Sequence, residues 1–427
     1  MSSWGVLRQA FTLPSRFRRI LQWRNMAPPV RPFPTNFGRI SLDVKFEEET
    51  VPNYVPSHFY PVHIGDVFAS RYYVVGKLGF GRDSTVWLAR DLTHWQPRYV
   101  TLKILVNAAA LDRPADAELN TYTLLRNGPD DHPGRDAVRS LLDSFTLVSP
   151  DGGAQHQVLV HPSLWTSVSG LAARNPSATH LPKPVVAIIL QRTLLALAYL
   201  HDECGIVHTD LKEDNIMFGL AEDDPVLEAF ERAEREDPLP RKVLDDGSGR
   251  IIYVSRDLDV PTDLRPPVVC DFGSAVSGKE MQTERAQPKI YRAPEVILGV
   301  PWGYSIDIWT VGCLIWDMFE GRQLFYGTDP EHDAYRLRAH LAEMIAVLGP
   351  PPPELLARAE RRSKFFDEHG TYNAETLETT LEDEEEKKLF MAFVRKMLCW
   401  VPEERHTARQ LLEDPWLVAQ CQGSEDD

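Results

Sequence analysis

The stretch IVHTDLKEDNIMFG, residues 206–219, decides how this chain is read. Within HTDLKEDN, Asp210 is a carboxylate able to accept a hydroxyl proton, and Lys212 lies two residues on, where an ammonium can neutralise a moving phosphate. Asn215 offers a neutral oxygen to a hard cation. Magnesium favours such oxygen ligands together with phosphate and needs a second carboxylate. VVCDFG supplies it at Asp271, after an apolar run of strand character. Alone, Asp271 would pass as an ordinary turn aspartate before glycine; the order of the two motifs argues for the metal role.

Phosphate-gripping elements are expected upstream. From Tyr72 the pattern is alternating and β-branched through YYVVGKLGFG, STVWLARDL and YVTLKIL, which predicts three antiparallel strands. The first runs into LGFGRDSTV, a G-x-G-x-x-S-x-V loop. There Leu78, Gly79, Phe80, Gly81, Arg82, Ser84 and Val86 are candidates for the nucleotide, with Ser84 where a third glycine is usual. Glycine-rich hairpins are common, so context carries this reading. Lys103 follows in VTLKIL, the place for an ammonium that holds phosphate oxygens. Glu118, on a helix expected over 115–127, is its expected carboxylate partner, since a partly buried lysine without one would lose its charge.

Together these residues resemble the signature set of eukaryotic protein kinases, a resemblance that runs from Tyr72 to Leu417. YRAPE at 291–295 is similar to the end of an activation segment. SIDIWTVGCLIWDM is similar to the central helix of the large lobe, whose Asp307 would tie down the catalytic loop. ERHTARQLLEDPWL is similar to the closing motif, with Arg405 available to pair with Glu295. The resemblance implies an α+β, bilobal protein kinase fold, with a small β-rich N-lobe and a larger α-helical C-lobe. It implies ATP and Mg2+, catalytic roles for Asp210, Lys212, Lys103 and Glu118, and metal ligation by Asn215 and Asp271. Thr101 and Leu164 join the nucleotide set, with His161 and Pro162 at the gatekeeper and first hinge positions. Pro162 would still offer its carbonyl and Leu164 its N–H; His161 is expected to line the pocket, and Cys270 to be a small buried residue.

Local strings narrow the resemblance to the serine/arginine-protein kinase family. YPVHIGDVFASRYYVVGKLGFGRDSTVWLARD is similar to that family, and so is HTDLK, with Thr209 where most kinases carry arginine. A long charged insert between the catalytic asparagine and the metal aspartate is a further trait. Asp329, Glu331 and Asp333 fall in the neighbourhood of the family's acidic docking groove. The whole resembles a divergent, fungal-type member, and implies basic, Arg/Ser-rich protein substrates such as splicing factors, in cytoplasm and nucleus, for a monomer. Arginine before the catalytic aspartate commonly pairs with a phosphorylated activation loop. Thr209 cannot, so a constitutively competent site is expected. Two rivals stand beside this reading. A pseudokinase scaffold is left open by Thr101, in place of the usual alanine, and by the unusual hinge. A small-molecule phosphotransferase would share only the catalytic loop and metal carboxylate.

Composition sets the outer bounds. At 427 residues the chain can hold two cores plus extensions. Residues 1–42 carry seven Arg and no Lys, Asp or Glu, leaving 39 basic against 62 acidic side chains in the rest, a net of −23. Such a body repels nucleic-acid backbones and attracts cationic partners. Five scattered cysteines suggest neither a disulfide framework nor a zinc site. No window is expected to span a bilayer: the best candidate, VVAIILQRTLLALAYLH, is interrupted by Gln191 and Arg192 and reads as a buried helix.

The domain plan is a basic extension at 1–42, a proline-rich lead-in at 43–71, an N-lobe at 72–164, a C-lobe at 165–420 and an acidic tail at 421–427. The extension reads as a disordered arm or, with Phe17, Ile20 and Leu21 on one helical face, a mitochondrial presequence. The insert at 219–267 and EDEEEKK at 382–388 read as solvated charged faces, the former with one short helix at VLEAFERAERE. Long helices are expected at 183–201, 305–320 and 333–348.

Overall fold

A computed structural model describes residues 32–111, 114, 116–174, 180–244, 249–366 and 384–422. The amphipathic pattern at 17–21 and the end of the acidic tail lie outside them. Two compact units emerge. The first comprises Met1–Asn107, Phe145–Val160 and Glu222–Asp259, and the second Ala108–Ser144, His161–Ala221 and Val260–Asp427.

In the first unit the alternating runs become β1 (Val67–Phe68), β2 (Tyr72–Phe80), β3 (Ser84–Asp91), β4 (Tyr99–Leu105), β5 (Asp143–Val148) and β6 (Gln155–Pro162). They form one sheet in the order β1-β2-β3-β4-β6-β5. The antiparallel register sets Val74 beside Ala89 and Val100, and Lys77 beside Trp87 and Leu102. This face packs a core with Val62, Phe68, Tyr72, Ile104, Val158, Val160 and Tyr253. Alternation along each strand gives the other face to Val86, paired with Lys103, and to Leu88, paired with Thr101. Three nucleotide candidates, Val86, Thr101 and Lys103, therefore share a face.

Grouping by contacts departs from the sequence plan in two places. Val62 and Phe68, expected in an extended lead-in, are buried in the sheet's core. Most of the insert belongs to this unit. Its helix Pro225–Glu236 starts on Asp224, whose side chain accepts from the N–H of Val226, and it buries Val226, Leu227 and Phe230. Its strands Arg241–Val243 and Ile251–Tyr253 pair antiparallel and send Tyr253 into the core, with its ring edge-on to Trp87 at 5.5 Å. The acid-rich composition misled because buried acids are matched by cations. Glu231 takes Arg235 at 2.7 Å and the Tyr99 hydroxyl at 2.6 Å, and Glu234 takes Arg241 at 2.9 Å and Arg256 at 3.2 Å.

The second unit is mainly helical. The helix Lys183–Ala198 continues through a π-helical turn, Tyr199–Cys204, which Gly205 ends at φ 66°. By length and composition alone Lys183–Cys204 could cross a bilayer, but the buried helix expected from the sequence is what forms. Its apolar side chains, including Ile189, Leu190, Leu194 and Leu197, are buried within the unit. The helix Ser305–Glu320 is buried from Ile306 to Phe319. The expected helix at 333–348 starts only at Leu337, because Thr328–Asp329 and Ala334–Tyr335 form a hairpin with Asp333 at φ 45°. Among the described residues all five cysteines are free thiols, and Cys270 is buried.

Candidate active site

Strand register holds the loop that carries Asp210, Lys212 and Asn215. Ile206–Val207 pairs with Val276–Ser277, and Ile216–Leu220 pairs with Leu264–Val269 and with Leu164–Ser167. Residues 208–215 are thus held at both ends. Ile216 lies opposite Val269 and the N–H of Cys270 donates to the carbonyl of Asn215 at 2.8 Å, which brings Asn215 next to the segment carrying Asp271.

Asp307 fixes the loop from below its backbone, as its motif implied. One carboxylate oxygen accepts from the N–H of Thr209 at 3.0 Å, and the other from the N–H of His208 at 2.8 Å and from the His201 ring at 2.9 Å. The Nδ1 of His208 accepts from the N–H of Asp210 at 3.2 Å, so its Nε2 is the donor to the Cys270 carbonyl at 3.0 Å. Thr209 is buried, at φ 68°, and its hydroxyl donates to the carbonyl of Ser274 at 2.7 Å.

At the reacting end, the Asp210 carboxylate is half-buried and accepts from Lys212 Nζ at 3.0 Å and from Asn215 Nδ2 at 3.1 Å. The same Nδ2 donates to the Asp210 carbonyl at 2.8 Å. Both donations fix the amide, so Asn215 Oδ1 is left as an acceptor suited to a hard cation. Asp271 stands at φ 63°, the less populated left-handed region, with Gly273 N–H donating to its carboxylate at 3.3 Å. Phe272 beside it is fully buried, its ring 5.3 Å from His208 and 5.4 Å from Tyr122. A neutral amide oxygen just before one strand and a carboxylate just after its antiparallel partner form a donor set that fits magnesium shared with phosphate.

The segment from Asp271 to Glu295 is pinned by contacts of its own side chains and backbone. Gly278 donates to the Gly205 carbonyl at 2.8 Å, and a Cβ there would stand 2.1 Å from the Tyr304 ring, so only glycine fits. Gln287, buried at φ 69°, donates to the Ile306 carbonyl and to Thr310, each at 2.8 Å, and accepts from the N–H of Ala293 at 2.9 Å. Arg405 grips Glu295 at 2.5 and 2.8 Å with both side chains fully buried, as its motif implied. Tyr291 donates to Asp317 at 2.9 Å; burial pushes the Asp317 carboxyl up to about 7, and the charge of Glu213 adds to the rise. Neither Gln287 nor Asp317 carried a signal in the sequence, since each acts through backbone or neighbours that only the fold supplies.

The nucleotide candidates divide between the units. Leu78, Gly79 and Phe80 end β2 and Ser84 and Val86 begin β3; Gly81, Arg82 and Asp83 make the turn, with Gly81 N–H donating to the Ser84 carbonyl at 2.8 Å. Lys103 is half-buried on β4, and Thr101 is buried on the same strand. In the second unit, Glu118 is buried on the helix Ala117–Asn127 and Leu164 is buried opposite Gly219. His161, expected to line the pocket, is 1% exposed; its Nδ1 is 2.8 Å from the Ser140 carbonyl and its ring packs on Tyr122. The Pro162 carbonyl accepts from Arg139 at 3.2 Å, which leaves it one further lone pair. Of the acids at 329–333, Asp329 is buried while Glu331 and Asp333 are exposed; Arg338 binds Asp329 at 2.6 Å and Glu331 at 2.7 Å, and its guanidinium holds the Asp329 carboxyl well below the usual carboxylate range.

Comparison with known proteins adds three relatives. Residues 262–417 match the protein kinase domain. A serine/threonine protein kinase from Aspergillus fumigatus is 41% identical over 95% of this chain and 99% of its own length. The serine/threonine-protein kinase SRPK of Physarum polycephalum is 30% identical over 87% of this chain and 92% of its own, and the human SRSF protein kinase 3 is 24% identical over 87% and 90%.

Proposed function

The chain belongs to the protein kinase family, and from that premise we propose that it transfers the γ-phosphate of ATP, with magnesium, to Ser or Thr of basic, Arg/Ser-rich proteins. That it is a serine/threonine protein kinase of SRPK-like type, with the bilobal kinase fold, follows from the relatives. The observation that carries the mechanism is the held carboxylate of Asp210. Lys212 and Asn215 fix the oxygen that accepts the hydroxyl proton, and both are positioned by a loop that Asp307 anchors. Lys212 also brings positive charge to the phosphoryl group, and Lys103, oriented in our reading by Glu118, does the same from the first unit. Asn215 and Asp271 would hold magnesium, which when bound screens the phosphate oxygens.

The Arg/Ser preference has narrower support. It comes from the names of the Physarum and human relatives and from the net −23 of the body, whereas the Arg338 pairings weaken the acidic stretch expected to recognise arginine. A radiolabelled ATP assay on Arg-Ser, Lys-rich and acidic peptides, with Asp210→Asn as the control, tests both levels. Turnover of the Arg-Ser peptide above the others, abolished in the variant, is expected. Equal rates would remove the preference, and nucleotide binding without turnover in the wild type would favour a scaffold.

A further inference from the structure

We propose that Lys77 is a positioning residue for the nucleotide, clamped by the N-terminal segment and the insert so that it sets the glycine-rich loop. The proposal rests on the nucleotide reading of that loop. Lys77 lies on β2 immediately before LGFG, and its side chain is fully buried. Its ammonium is bound by the carboxylate of Glu48, lies 3.2 Å from Glu47 Oε2 and donates to the Tyr253 carbonyl at 3.2 Å. It also sits 5.3 Å from the ring centroid of Phe80, at the loop itself. A buried ammonium is stable only while its partners stay in place, so this contact ties the strand to two remote segments.

The backbone repeats the pattern. Beyond its short pairing with β1, β2 has no sheet neighbour on its outer edge among the described residues, and the insert closes it: the N–H of Arg256 donates to the Lys77 carbonyl at 2.9 Å. Gly76 admits the insert helix, because a Cβ there would stand 2.7 Å from the Phe230 ring. The β2–β3 register shifts twice here, between Val74 and Gly76 and between Lys77 and Gly79. The strand entering the loop is therefore shaped by the insert as well as by its sheet partner.

The N-terminal segment is docked on the insert independently. Arg39 and Arg241 form a parallel bridge, with Ile40 N–H to the Arg241 carbonyl at 3.0 Å. Glu49 takes Lys242 at 2.8 Å, and Glu47 accepts from the N–H and hydroxyl of Ser255 at 2.8 and 2.7 Å. Three consecutive glutamates thus close a circuit of segment, insert and loop strand. A run of acids on its own would be a solvated surface; here Glu48 is 6% exposed and Lys77 2%.

The test uses the full chain and reads nucleotide and peptide separately. A fluorescent ATP analogue with magnesium is titrated, and steady-state constants are taken with an Arg-Ser peptide, for wild type, Lys77→Met, Lys77→Arg and the near-isosteric Glu48→Gln. Glu48→Gln is expected to raise the analogue Kd and the ATP KM about fivefold to tenfold, while kcat and peptide KM stay within about twofold. Lys77→Met is expected to exceed that loss, and Lys77→Arg to recover most of it. If Lys77→Met does not fold, Glu48→Gln and Lys77→Arg carry the test. Lower thermal stability with an unchanged ATP KM in Glu48→Gln would make the cluster merely structural and overturn the proposal. A wild type that binds no analogue overturns the nucleotide reading itself.

Discussion

The hydroxyl of Thr209 donates to the backbone carbonyl of Ser274 at 2.7 Å. The residue before Asp210, the proposed catalytic base, thereby meets the segment from Asp271 to Glu295 through an uncharged bond. Thr209→Val keeps the shape and removes the bond. Its kcat is expected to fall about threefold to tenfold, the value of one buried hydrogen bond. Phosphorylating Thr283, which is exposed, is expected to change the wild-type rate less than about twofold. Steady-state kinetics with and without a phosphate at Thr283 checks both, and a large activation would contradict this account.

Breaking the Glu295–Arg405 pair is expected to be costly. Both side chains are fully buried, and Arg405 also donates to the Cys399 carbonyl at 2.9 Å and the Ser305 carbonyl at 3.1 Å. Arg405→Met leaves a buried carboxylate alone, a loss of about 3–5 kcal/mol. Denaturant unfolding of both proteins at neutral pH measures it, and Glu295→Gln in the same background should restore part.

Asp317 predicts a pH dependence whose sign is set by burial. Its carboxyl is raised to about 7 in the folded chain, so the folded state retains a proton that the unfolded state releases near the ordinary value of 3.8. The contribution is fully present below about pH 4 and is lost as pH rises through about 7. Asp317→Asn should flatten this part of the stability curve and gain about 4 kcal/mol relative to wild type at pH 8. Parallel profiles for the two proteins between pH 4 and 8 would refute the assignment.

Arg338 is expected to limit the affinity for basic peptides. Removing it in Arg338→Ala frees the exposed Glu331 and leaves Asp329 to His332 at 3.3 Å and Arg336 at 3.9 Å. The KM for an Arg-rich peptide should fall severalfold at low salt, with the difference vanishing near 1 M salt, where screening acts within about 3 Å. An unchanged KM at low salt would exclude this stretch from substrate binding.

Much of the chemistry was legible because it follows order along the chain. HTDLKEDN, VVCDFG and the Glu295 and Arg405 motifs each encode a contact that backbone geometry completes locally or through one buried pair. The helix at 305–320 was equally plain from its uninterrupted apolar periodicity. What composition obscured was burial by matching charge: Glu231 and Glu234 read as solvent-facing until Arg235, Arg241 and Arg256 are placed against them, and Glu48 meets Lys77 only in the fold. The partner of His161 was hidden for a related reason, since a polar ring beside an apolar strand gives no hint that Ser140 supplies its carbonyl.

Tyr253, packed edge-on against Trp87, bears on how the chain is made as well as how it stands. The first unit is completed by Glu222–Asp259, after all of Ala108–Ser144 and His161–Ala221 has passed. During synthesis the early strands must therefore wait, with Trp87 and Leu102 uncovered, for more than a hundred residues to emerge. Closing contacts so distant in sequence slows folding and lengthens exposure to aggregation. A fragment ending near residue 165 should accordingly be insoluble, and chaperone demand should ease only once the ribosome has released Tyr253.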